Sequence, residues 1–578
     1  MSENQMKVTY DVIVIGSGAA GMMAALRARD QGLDVLIVEK ERQYGGTSAT
    51  SGGLFWVPNH GLDATGDSRE KALTYLKTVA RGPVRQDRLE KFVDTAPEMA
   101  RYLASSTGLK LDVQTGYPDY YSEAEGAHPG RALAPQVIDG AGLANDFHTL
   151  REQFVRFKIF NRYTLSLYEA FTLATRAPGW RSLFAKMVFN YWTDFSWRRK
   201  TPRDRRLSMG NALIGGMRMA LNKRRVPLWL NTALDELIVE HGEVVGVWLR
   251  QYGRPIRIDA RRGVVIAAGG FEWNQALRDK HLPLPLPARF SSTPMDGNTG
   301  MAIQAGQAIG AAIEFMEGAW WVPTMVMPIH GVPNIDMVHQ MVFDVGRPHS
   351  LCVNQLGRRF LNESCSYDRF GIALIEEQQK TGMSIPCWLV FDAQFRKLYT
   401  AGGLMPASIM PDSKIPEHWW TRYLYRADSI AELAGSIGLP PQPLSEEVRK
   451  INEYARTGID PEFGRGSFEY DRFLGDPRHT PNPCLGTIEK GPFYAVPVNL
   501  GDLGTKGGLK VDPRARVLDL NDNPIPGLYA AGNASGSVYG DTYPGAGATL
   551  GQALTFGYVA ANDIAANHRA AVHEAEAR

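Results

Sequence analysis

The sequence has 578 residues, a length at which more than one domain is expected. Its formal net charge of +2 gives no overall electrostatic argument for nucleic-acid binding, and its four cysteines lack the spacing of a metal site or a disulfide framework. No stretch reaches the apolar length of a transmembrane helix, and no signal peptide fits ahead of the first apolar strand. We therefore expect a cytoplasmic protein of several domains that binds neither metal nor nucleic acid.

Close to its start, the chain carries an apolar strand that ends in glycines. Residues 11–15 run into Gly16, Gly18 and Gly21, a helical Ala/Met run follows, and a second apolar strand at 35–38 ends in Glu39. Strand, glycines, helix, strand and acid in this order form the fingerprint of dinucleotide binding. The glycines allow close approach of a pyrophosphate, and Glu39 can accept from a ribose hydroxyl. A glycine-rich turn without a ligand is the alternative that the complete pattern disfavours.

Three further segments favour FAD over NAD as the dinucleotide. Residues 39–53 place paired glycines and hydroxyls after Glu39. Residues 263–270 are another apolar strand that ends in glycines, and residues 529–533 read Tyr-Ala-Ala-Gly-Asn. Together they resemble the FAD contacts of the fumarate reductase/succinate dehydrogenase flavoprotein superfamily. The resemblance implies that these residues bind the cofactor: Gly16, Gly18, Ala19, Ala20, Gly21, Glu39, Lys40, Gly45, Gly46, Thr47, Ser48, Ser51, Gly52, Gly53, Ala268, Gly269, Gly532, Asn533, Thr549 and Leu550. No histidine lies at 45–53, so we expect FAD to be bound non-covalently.

Residues 151–206 form a basic and aromatic insertion. The segment holds thirteen Lys/Arg and four Asp/Glu, a local net charge of +9, together with thirteen Phe, Tyr and Trp residues. Basic residues beside aromatic ones are typical of a segment that lies at a membrane interface. The alternative is a pair of amphipathic helices that pack on the protein's own surface with a solvated basic face.

The order of these segments predicts an α/β fold: a Rossmann-like FAD-binding domain with an inserted α+β cap domain that contributes to catalysis. Residues 1–327 form the first part of the FAD-binding domain, and the segments 225–231 and 237–247 are predicted strands of a small separate sheet. Residues 328–495, rich in Met, Pro and aromatic residues, form the cap, and residues 496–578 return to the FAD-binding domain. We expect the ligand cleft between the two.

Near the end of the chain, Tyr543 stands four residues before Gly547, which precedes a small apolar helical run. A phenol and a backbone N–H aimed at one point make a site for a developing oxyanion, and a helix N-terminus favours negative charge. Two more tyrosines stand out: Tyr120 in a Tyr-Pro-Asp-Tyr-Tyr run and Tyr367 in an Asn-Glu-x-x-x-Tyr run. Taken alone, the first stretch is a glycine-rich turn and each tyrosine a packing residue.

Five motifs occur together and in order: Tyr-Pro-Asp-Tyr-Tyr, Ala-Trp-Trp, Asn-Glu-x-x-x-Tyr, Gly-Asp-Leu-Gly-Thr-Lys-Gly-Gly and Thr-Tyr-Pro-Gly-x-Gly. With them, the whole chain resembles the bacterial 3-ketosteroid Δ1-dehydrogenases. The resemblance implies that Tyr367 takes a proton from carbon 2 with the help of Tyr120. The Tyr543 hydroxyl and the Gly547 N–H hold the carbon-3 ketone, and flavin N5 accepts hydride from carbon 1. It also implies a 3-ketosteroid substrate and a quinone or other electron acceptor.

Three alternatives stay open. Desaturation at the Δ4 position of 5α- or 5β-reduced 3-ketosteroids needs the same flavin and ketone grip with a shifted base. A fumarate-reductase-type enzyme needs a charged grip on two carboxylates, for which His330, His339, His349 and Arg347 are candidates. A catalytically idle flavoprotein at a membrane is the third, prompted by residues 151–206.

Overall fold

The computed structural model describes residues 8–62, 66–175, 178–294, 297–328 and 336–576. Its strands in chain order are β1 Thr9–Ile15, β2 Val35–Val38, β3 Phe55–Trp56, β4 Leu111–Val113, β5 Ala132–Pro135, β6 Ile138–Asp139, β7 Lys158–Ile159, β8 Tyr163–Thr164, β9 Arg206–Leu207, β10 Leu228–Trp229, β11 Thr232–Glu240, β12 Glu243–Gln251, β13 Arg254–Ile266, β14 Ile313–Glu314, β15 Ala319–Pro328, β16 Asp336–Gln340, β17 Ser350–Val353, β18 Cys387–Phe391, β19 Tyr425–Ala427, β20 Phe493–Thr505, β21 Gly508–Leu509, β22 Arg516–Leu518 and β23 Pro524–Ala530. Its α-helices are α1 Ala19–Asp30, α2 Gly46–Thr50, α3 Arg69–Val79, α4 Gln86–Thr107, α5 Leu167–Thr175, α6 Trp180–Thr193, α7 Phe195–Arg198, α8 Met209–Lys223, α9 Gln275–His281, α10 Met301–Ala308, α11 Tyr367–Thr381, α12 Ala393–Leu398, α13 Ile430–Ser436, α14 Pro441–Thr457, α15 Glu469–Leu474 and α16 Ala548–Glu576.

The main sheet is built around the strand of the glycine fingerprint. β1 pairs in parallel with β2 on one side and with the second half of β13 on the other, and β10 and β23 extend the parallel set. The first half of β13 pairs antiparallel with β12, which forms a hairpin with β11. Helix α1 packs against α8 and α16 beside this sheet. Parallel strands joined through helices are the arrangement of dinucleotide-binding folds, so the predicted α/β class is confirmed.

The strands predicted at 225–231 and 237–247 join this main sheet and do not form a separate one. β10 pairs with the edge of β2, and the segment 237–247 contains a chain reversal between β11 and β12. His241 and Gly242 make the reversal with φ values of +52° and +81°. A glycine adopts such a φ without steric cost, which is why a hairpin replaces the single predicted strand.

The cap is built on a second sheet with the strand order β16-β15-β20-β18-β17, and β19 also pairs with β20. Its two long strands extend beyond the expected cap boundaries of 328 and 495, since β15 is Ala319–Pro328 and β20 is Phe493–Thr505. They pair antiparallel where the chain leaves the FAD-binding domain and where it returns. The connection between the domains is therefore a strand pair, and α11 packs against β15.

The insertion 151–206 folds into the β7–β8 hairpin and helices α5 to α7. It has a small core of its own, formed by Tyr163, Leu165, Met187 and Tyr191. The insertion is held to the FAD-binding domain at Phe147, whose ring lies 4.8 Å from that of Trp197 and whose carbonyl accepts from Arg203 at 3.0 Å. In the described part of the chain, no helix has the length and apolarity to cross a membrane.

Candidate active site

The glycine fingerprint forms one wall of a long cavity. Gly16 has φ of +106°, and a Cβ there would lie 2.4 Å from the carbonyl oxygen of Ala267. A Cβ on Gly21 would lie 2.1 Å from the Gly16 oxygen, so α1 packs too closely on β1 for any side chain. Gly18 caps α1, and it lines the cavity together with Ala19. A helix N-terminus therefore faces the cavity, where it favours a phosphate.

Glu39 lies at the end of β2 with its carboxylate held on both oxygens. Its Oε2 accepts from the N–H of Ser17 at 3.1 Å and from the Ser17 hydroxyl at 2.6 Å. Its Oε1 accepts from the N–H of Glu41 at 3.1 Å. The side chain is 9 % exposed and lines the cavity, as a ribose-binding acid should.

Residues 46–48 and 50–53 form a second wall of the same cavity. The hydroxyl of Ser48 accepts from the Ala19 N–H at 3.1 Å, which ties this segment to α1. A Cβ on Gly46 or Gly52 would meet no atom within 4 Å and would project into open space. Because both glycines line the cavity beside a phosphate-facing helix, the residues present fit FAD.

Every predicted cofactor residue except Gly21 and Gly45 lines this cavity. Gly45 supports the wall from behind, since its N–H donates to the Ser17 hydroxyl at 2.9 Å. Lining residues that were not predicted include Asn298, which opens the turn before α10, and Phe154 and Phe157 of the insertion. The Asn-Thr-Gly run at 298–300 could have indicated a cavity residue from the sequence, whereas nothing in the sequence around the two phenylalanines indicated that they line the cavity.

Three tyrosine rings also line the cavity and contact one another. The ring centroids of Tyr120, Tyr367 and Tyr543 are 5.1, 5.2 and 5.4 Å apart in the three pairs. The side chains are 2 %, 8 % and 4 % exposed, respectively. The Tyr120 hydroxyl donates to the Tyr367 oxygen at 2.7 Å. The structure thus brings together the three tyrosines that the motifs singled out, in the cavity that the fingerprint also lines.

A buried ion pair fixes the loop that carries Tyr120. The Asp119 carboxylate accepts from Trp56 Nε1 at 2.8 Å and from the Arg131 guanidinium at 2.7 Å. The Tyr120 N–H donates to the carbonyl of Pro544 at 3.0 Å, which joins this loop to the one that carries Tyr543. Burial raises the pKa of Asp119 to about 6, and the interaction with Arg131 opposes that rise.

Tyr543 and Gly547 are the two residues predicted to hold the ketone oxygen. The Thr549 hydroxyl donates to the Tyr543 oxygen at 3.3 Å, so the phenol can donate its own proton to a ligand. The Trp320 ring packs on Tyr543 with centroids 4.7 Å apart. Gly547 has φ of +85°, and a Cβ there would lie 2.4 Å from the carbonyl of Leu54. Only glycine fits this position, and its backbone lines the cavity.

Burial raises the pKa of all three phenols. The pKa of Tyr367 lies well above its usual value, first because of burial and then because of Tyr543 and Tyr117, whereas the hydrogen bond from Tyr120 lowers it. Tyr367 is also the first residue of α11, where the helix dipole favours an anion. The resting site therefore holds a neutral phenol and offers a hydrogen bond and a dipole to its anion.

The described residues among those considered for a dicarboxylate site lie outside this cavity. His330 is outside the described residues. The rings of His339 and His349 interact with backbone carbonyl oxygens at 3.1 and 2.8 Å. Arg347 donates to the carbonyl of Gly475 at 2.9 Å. None of these three described residues lines the cavity.

The cationic residues that line the cavity, within the described ranges, are Lys40 and Arg151. Both approach Glu41, at 4.0 and 3.9 Å, next to Glu39, the predicted ribose-binding acid. No histidine is found among the described lining residues. The positive charge in the cavity is therefore at its dinucleotide end, and the tyrosine end has phenols suited to a neutral carbonyl.

Comparison with known proteins agrees with this geometry. The sequence profile described as "FAD binding domain" matches residues 11–550. A 3-oxosteroid 1-dehydrogenase of Mycolicibacterium smegmatis is 38 % identical over 96 % of this chain and 97 % of its own length. A 4-oxocyclohex-2-ene-1-carboxylate 5-dehydrogenase of Sinomonas cyclohexanicum is 34 % identical over 96 % and 94 %.

Among solved structures, the 3-ketosteroid delta1-dehydrogenase of Sterolibacterium denitrificans, in complex with 1,4-androstadiene-3,17-dione, superposes with a TM-score of 0.92. It is 44 % identical, and the match covers 97 % of this chain and all of that one. These findings confirm the family that the five motifs indicated and the FAD cofactor that the fingerprint indicated. The chain therefore belongs to the family of FAD-dependent oxidoreductases that contains the 3-oxosteroid 1-dehydrogenases.

Proposed function

We propose that this protein is an FAD-dependent 3-oxosteroid 1-dehydrogenase, which forms the double bond between carbons 1 and 2 of a 3-ketosteroid. The observation that carries the proposal is the 2.7 Å hydrogen bond from Tyr120 to Tyr367, packed against Tyr543 in the cavity of the glycine fingerprint. A base, an oxyanion site and a redox cofactor are the groups needed to remove hydrogen from adjacent carbons beside a ketone.

Each residue has one role in this reaction. Tyr367 takes the proton from carbon 2, and the Tyr120 hydroxyl stabilises the resulting phenolate and helps the proton to leave. The Tyr543 hydroxyl and the Gly547 N–H hold the carbon-3 oxygen, on which enolate charge develops. Loss of one such donor typically raises the barrier by about 2.7–4 kcal/mol. FAD, when bound, supplies the acceptor for the hydride that leaves carbon 1.

The lining of the cavity supports a neutral, apolar substrate. Apart from the tyrosines, its side chains include Val342, Phe343, Leu503, Phe154 and Phe157. Such side chains bury a flat hydrocarbon skeleton favourably, and none of these five carries a charge that would pair with a carboxylate. This favours a steroid over the carboxylated cyclohexanones of the Sinomonas relative and over a dicarboxylate.

Product analysis tests the proposal. The holoenzyme, supplied with an artificial electron acceptor, should convert androst-4-ene-3,17-dione to the 1,4-diene. Conversion of 5α-androstane-3,17-dione to the 4-ene, without reaction of androst-4-ene-3,17-dione, would replace the proposal by Δ4 desaturation. Faster turnover of 4-oxocyclohexanecarboxylate than of any steroid would replace it by a small-ring dehydrogenase.

A quinone is the electron acceptor that we expect, on the strength of the family resemblance. After anaerobic reduction by substrate, a soluble naphthoquinone should restore the oxidised flavin spectrum within seconds. Reoxidation by dyes but not by any quinone would contradict this expectation.

We also propose that the insertion 151–206 docks on a membrane and admits steroids from it. Five of its aromatic side chains are 50–78 % exposed: Phe160, Tyr168, Phe189, Trp192 and Phe195. Exposed basic side chains alternate with them: Arg162, Arg181, Lys186, Arg199 and Lys200. Aromatic side chains enter the interfacial layer, and basic ones bind anionic headgroups. Phe154 and Phe157 of the same segment line the cavity, which supports a path from the surface to the site.

Co-sedimentation with phosphatidylcholine vesicles that contain phosphatidylserine tests this docking. The variant Phe189→Ser/Trp192→Ser/Phe195→Ser should lose most of the binding. A matched control, Tyr252→Ser/Ile459→Ser/Leu520→Ser, removes equally exposed apolar side chains outside the insertion and should bind as the wild type does. Equal sedimentation of the two variants would refute the docking and favour a surface helix pair.

A further inference from the structure

A fully buried carboxyl lies behind the cavity and has no part in the reaction described above. Glu272 is 0 % exposed and lies two residues after Gly269-Gly270, in the segment that follows β13. Its Oε1 accepts from Asn298 Nδ2 at 2.5 Å, whereas its Oε2 has no hydrogen-bond partner among the described residues. A buried carboxyl oxygen without a partner destabilises a fold, so its presence calls for a role.

Asn298 connects this carboxyl to the cavity. The same Nδ2 donates its second hydrogen to the Thr47 hydroxyl at 3.0 Å, and both Asn298 and Thr47 line the cavity. With both hydrogens engaged, the orientation of the amide is fixed. Its Oδ1 lies over Gly269, where a Cβ would be only 2.4 Å away.

The carboxyl also lies beside a second predicted flavin contact. A Cβ on Gly504 would be 2.7 Å from Asn533 Nδ2 and 3.4 Å from Glu272 Oε1, so the two side chains flank the same glycine. The resemblance to the fumarate reductase/succinate dehydrogenase flavoproteins implies that Gly46 to Ser48 lie near the flavin and that Asn533 holds its far end. Glu272 is therefore behind the flavin part of the cavity and away from the ribose acid.

Two charged groups act on Glu272, Asp502 of β20 and Arg278 of α9. They pair with each other at 2.7 Å with fully buried side chains, so they form a nearly neutral unit. Ionisation of Glu272 would therefore add an uncompensated buried charge. Burial and then Asp502 raise the pKa of Glu272 to about 7, against the opposing effects of Asn298 and Arg278.

We propose that Glu272 is a positioning residue that orients Asn298 against Thr47 and takes up a proton when FAD is reduced. Reduction adds two electrons and one proton to the cofactor, which leaves it with a negative charge. That charge and an ionised Glu272 repel each other in a buried site, so a proton from solvent neutralises the carboxyl. The inference rests on FAD binding and not on the identity of the steroid.

A redox titration of the holoenzyme without steroid tests this, with dithionite as reductant and the visible flavin spectrum as readout. Between pH 7 and 8, the midpoint potential of the wild type should fall more steeply with pH than that of Glu272→Gln, because two protons rather than one then accompany the two electrons. In Glu272→Gln, which keeps the acceptor for Asn298 but cannot ionise, the extra steepness should vanish. Glu314→Gln removes a partly buried carboxyl with a raised pKa, paired to Arg88 and absent from the cavity lining, and should behave as the wild type.

If the midpoint potentials of the wild type and Glu272→Gln fell equally with pH, the proposal would be overturned. If Glu272→Gln fails to fold or to hold FAD, the reduced-minus-oxidised infrared spectrum of the wild type decides. A carboxylic acid signal that appears on reduction supports proton uptake, and its absence refutes it. Neither measurement requires the steroid, so a failure here is distinguishable from a failure of the proposed reaction.

Discussion

At the scale of single residues, the site relies on phenols that its own burial keeps neutral. Tyr367 has a pKa raised well above its usual value, yet in the proposed reaction it accepts a proton. The hydrogen bond from Tyr120 at 2.7 Å is the interaction that lowers this pKa. The proposed reaction therefore uses two tyrosines, because a single buried phenol is too weak a base.

Tyr367→Phe should lower kcat by about 10²–10⁴-fold while steroid binding is retained, because only the base is removed. Steady-state turnover and equilibrium steroid binding measure the two effects. Tyr121→Phe is a matched control, since that buried hydroxyl has no hydrogen-bond partner among the described residues. Unaltered kcat in Tyr367→Phe would exclude this residue as the base.

Glu272→Gln should change how stability depends on pH. The pKa of Glu272 rises from 4.5 to about 7 on folding, so the folded protein binds this proton more tightly than the unfolded chain does. Its stabilising contribution is complete below pH 4.5 and is lost as pH rises to about 7, a change of about 3 kcal/mol. Denaturation at pH 4.5 and pH 8 should show this loss in the wild type relative to the variant. The opposite sign would show that the carboxyl is stabilised as an anion.

At the scale of elements, the site is assembled from loops and helix ends. Tyr120 comes from a loop, Tyr367 begins α11, and Gly547 directly precedes α16. The loop of Tyr120 depends on the buried pair of Asp119 and Arg131, whose side chains are 2 % and 1 % exposed. The position of this loop is therefore held by an ion pair that is buried behind the tyrosines.

Arg131→Ala should destabilise the protein by about 3–5 kcal/mol, because it leaves the Asp119 carboxylate buried and unpaired. Thermal or denaturant unfolding of the holoenzyme measures this. Arg449→Ala breaks an exposed pair with Glu453 and should cost about 0.3–0.5 kcal/mol. Equal effects of the two substitutions would mean that the pair behind Tyr120 does not hold the loop.

Gly547→Ala should lower both kcat/KM and stability, because the new methyl group would meet the Leu54 carbonyl at 2.4 Å. Gly253→Ala separates this clash from backbone strain, since Gly253 has φ of +82° but no atom within 4 Å of its Cβ position. Enzyme kinetics and unfolding should show a larger loss at Gly547. Similar losses at both positions would attribute the effect to the positive φ alone.

The elements predicted from the sequence are those whose signal is local. The fingerprint strand, its helix and the strand that ends at Glu39 could be predicted, because glycine spacing and apolar runs are readable in a short window. The β11–β12 hairpin was missed, although the polar residues Glu240, His241 and Glu243 around Gly242 interrupt the apolar run there. The role of Asn298 depends on a contact with Thr47, 251 residues away, which no local pattern reveals.

At the scale of the whole molecule, one cavity is lined by four parts of the chain. Its lining extends from Ile15 to Ala553 and includes the insertion, the cap and both parts of the FAD-binding domain. The long strands β15 and β20 pair with each other; β15 begins before residue 328 and β20 ends after residue 495. The second sheet therefore includes residues on both sides of the composition changes at 328 and 495.

The measurement that tests the central claim most directly is the flavin spectrum of the holoenzyme after anaerobic mixing with androst-4-ene-3,17-dione. The proposed reaction predicts rapid loss of the oxidised flavin absorbance and one equivalent of the 1,4-diene. Tyr367→Phe should retain the oxidised spectrum over the same time. An oxidised spectrum that persists in the wild type with this steroid, while a 5α-reduced 3-ketosteroid bleaches it, would contradict the claim.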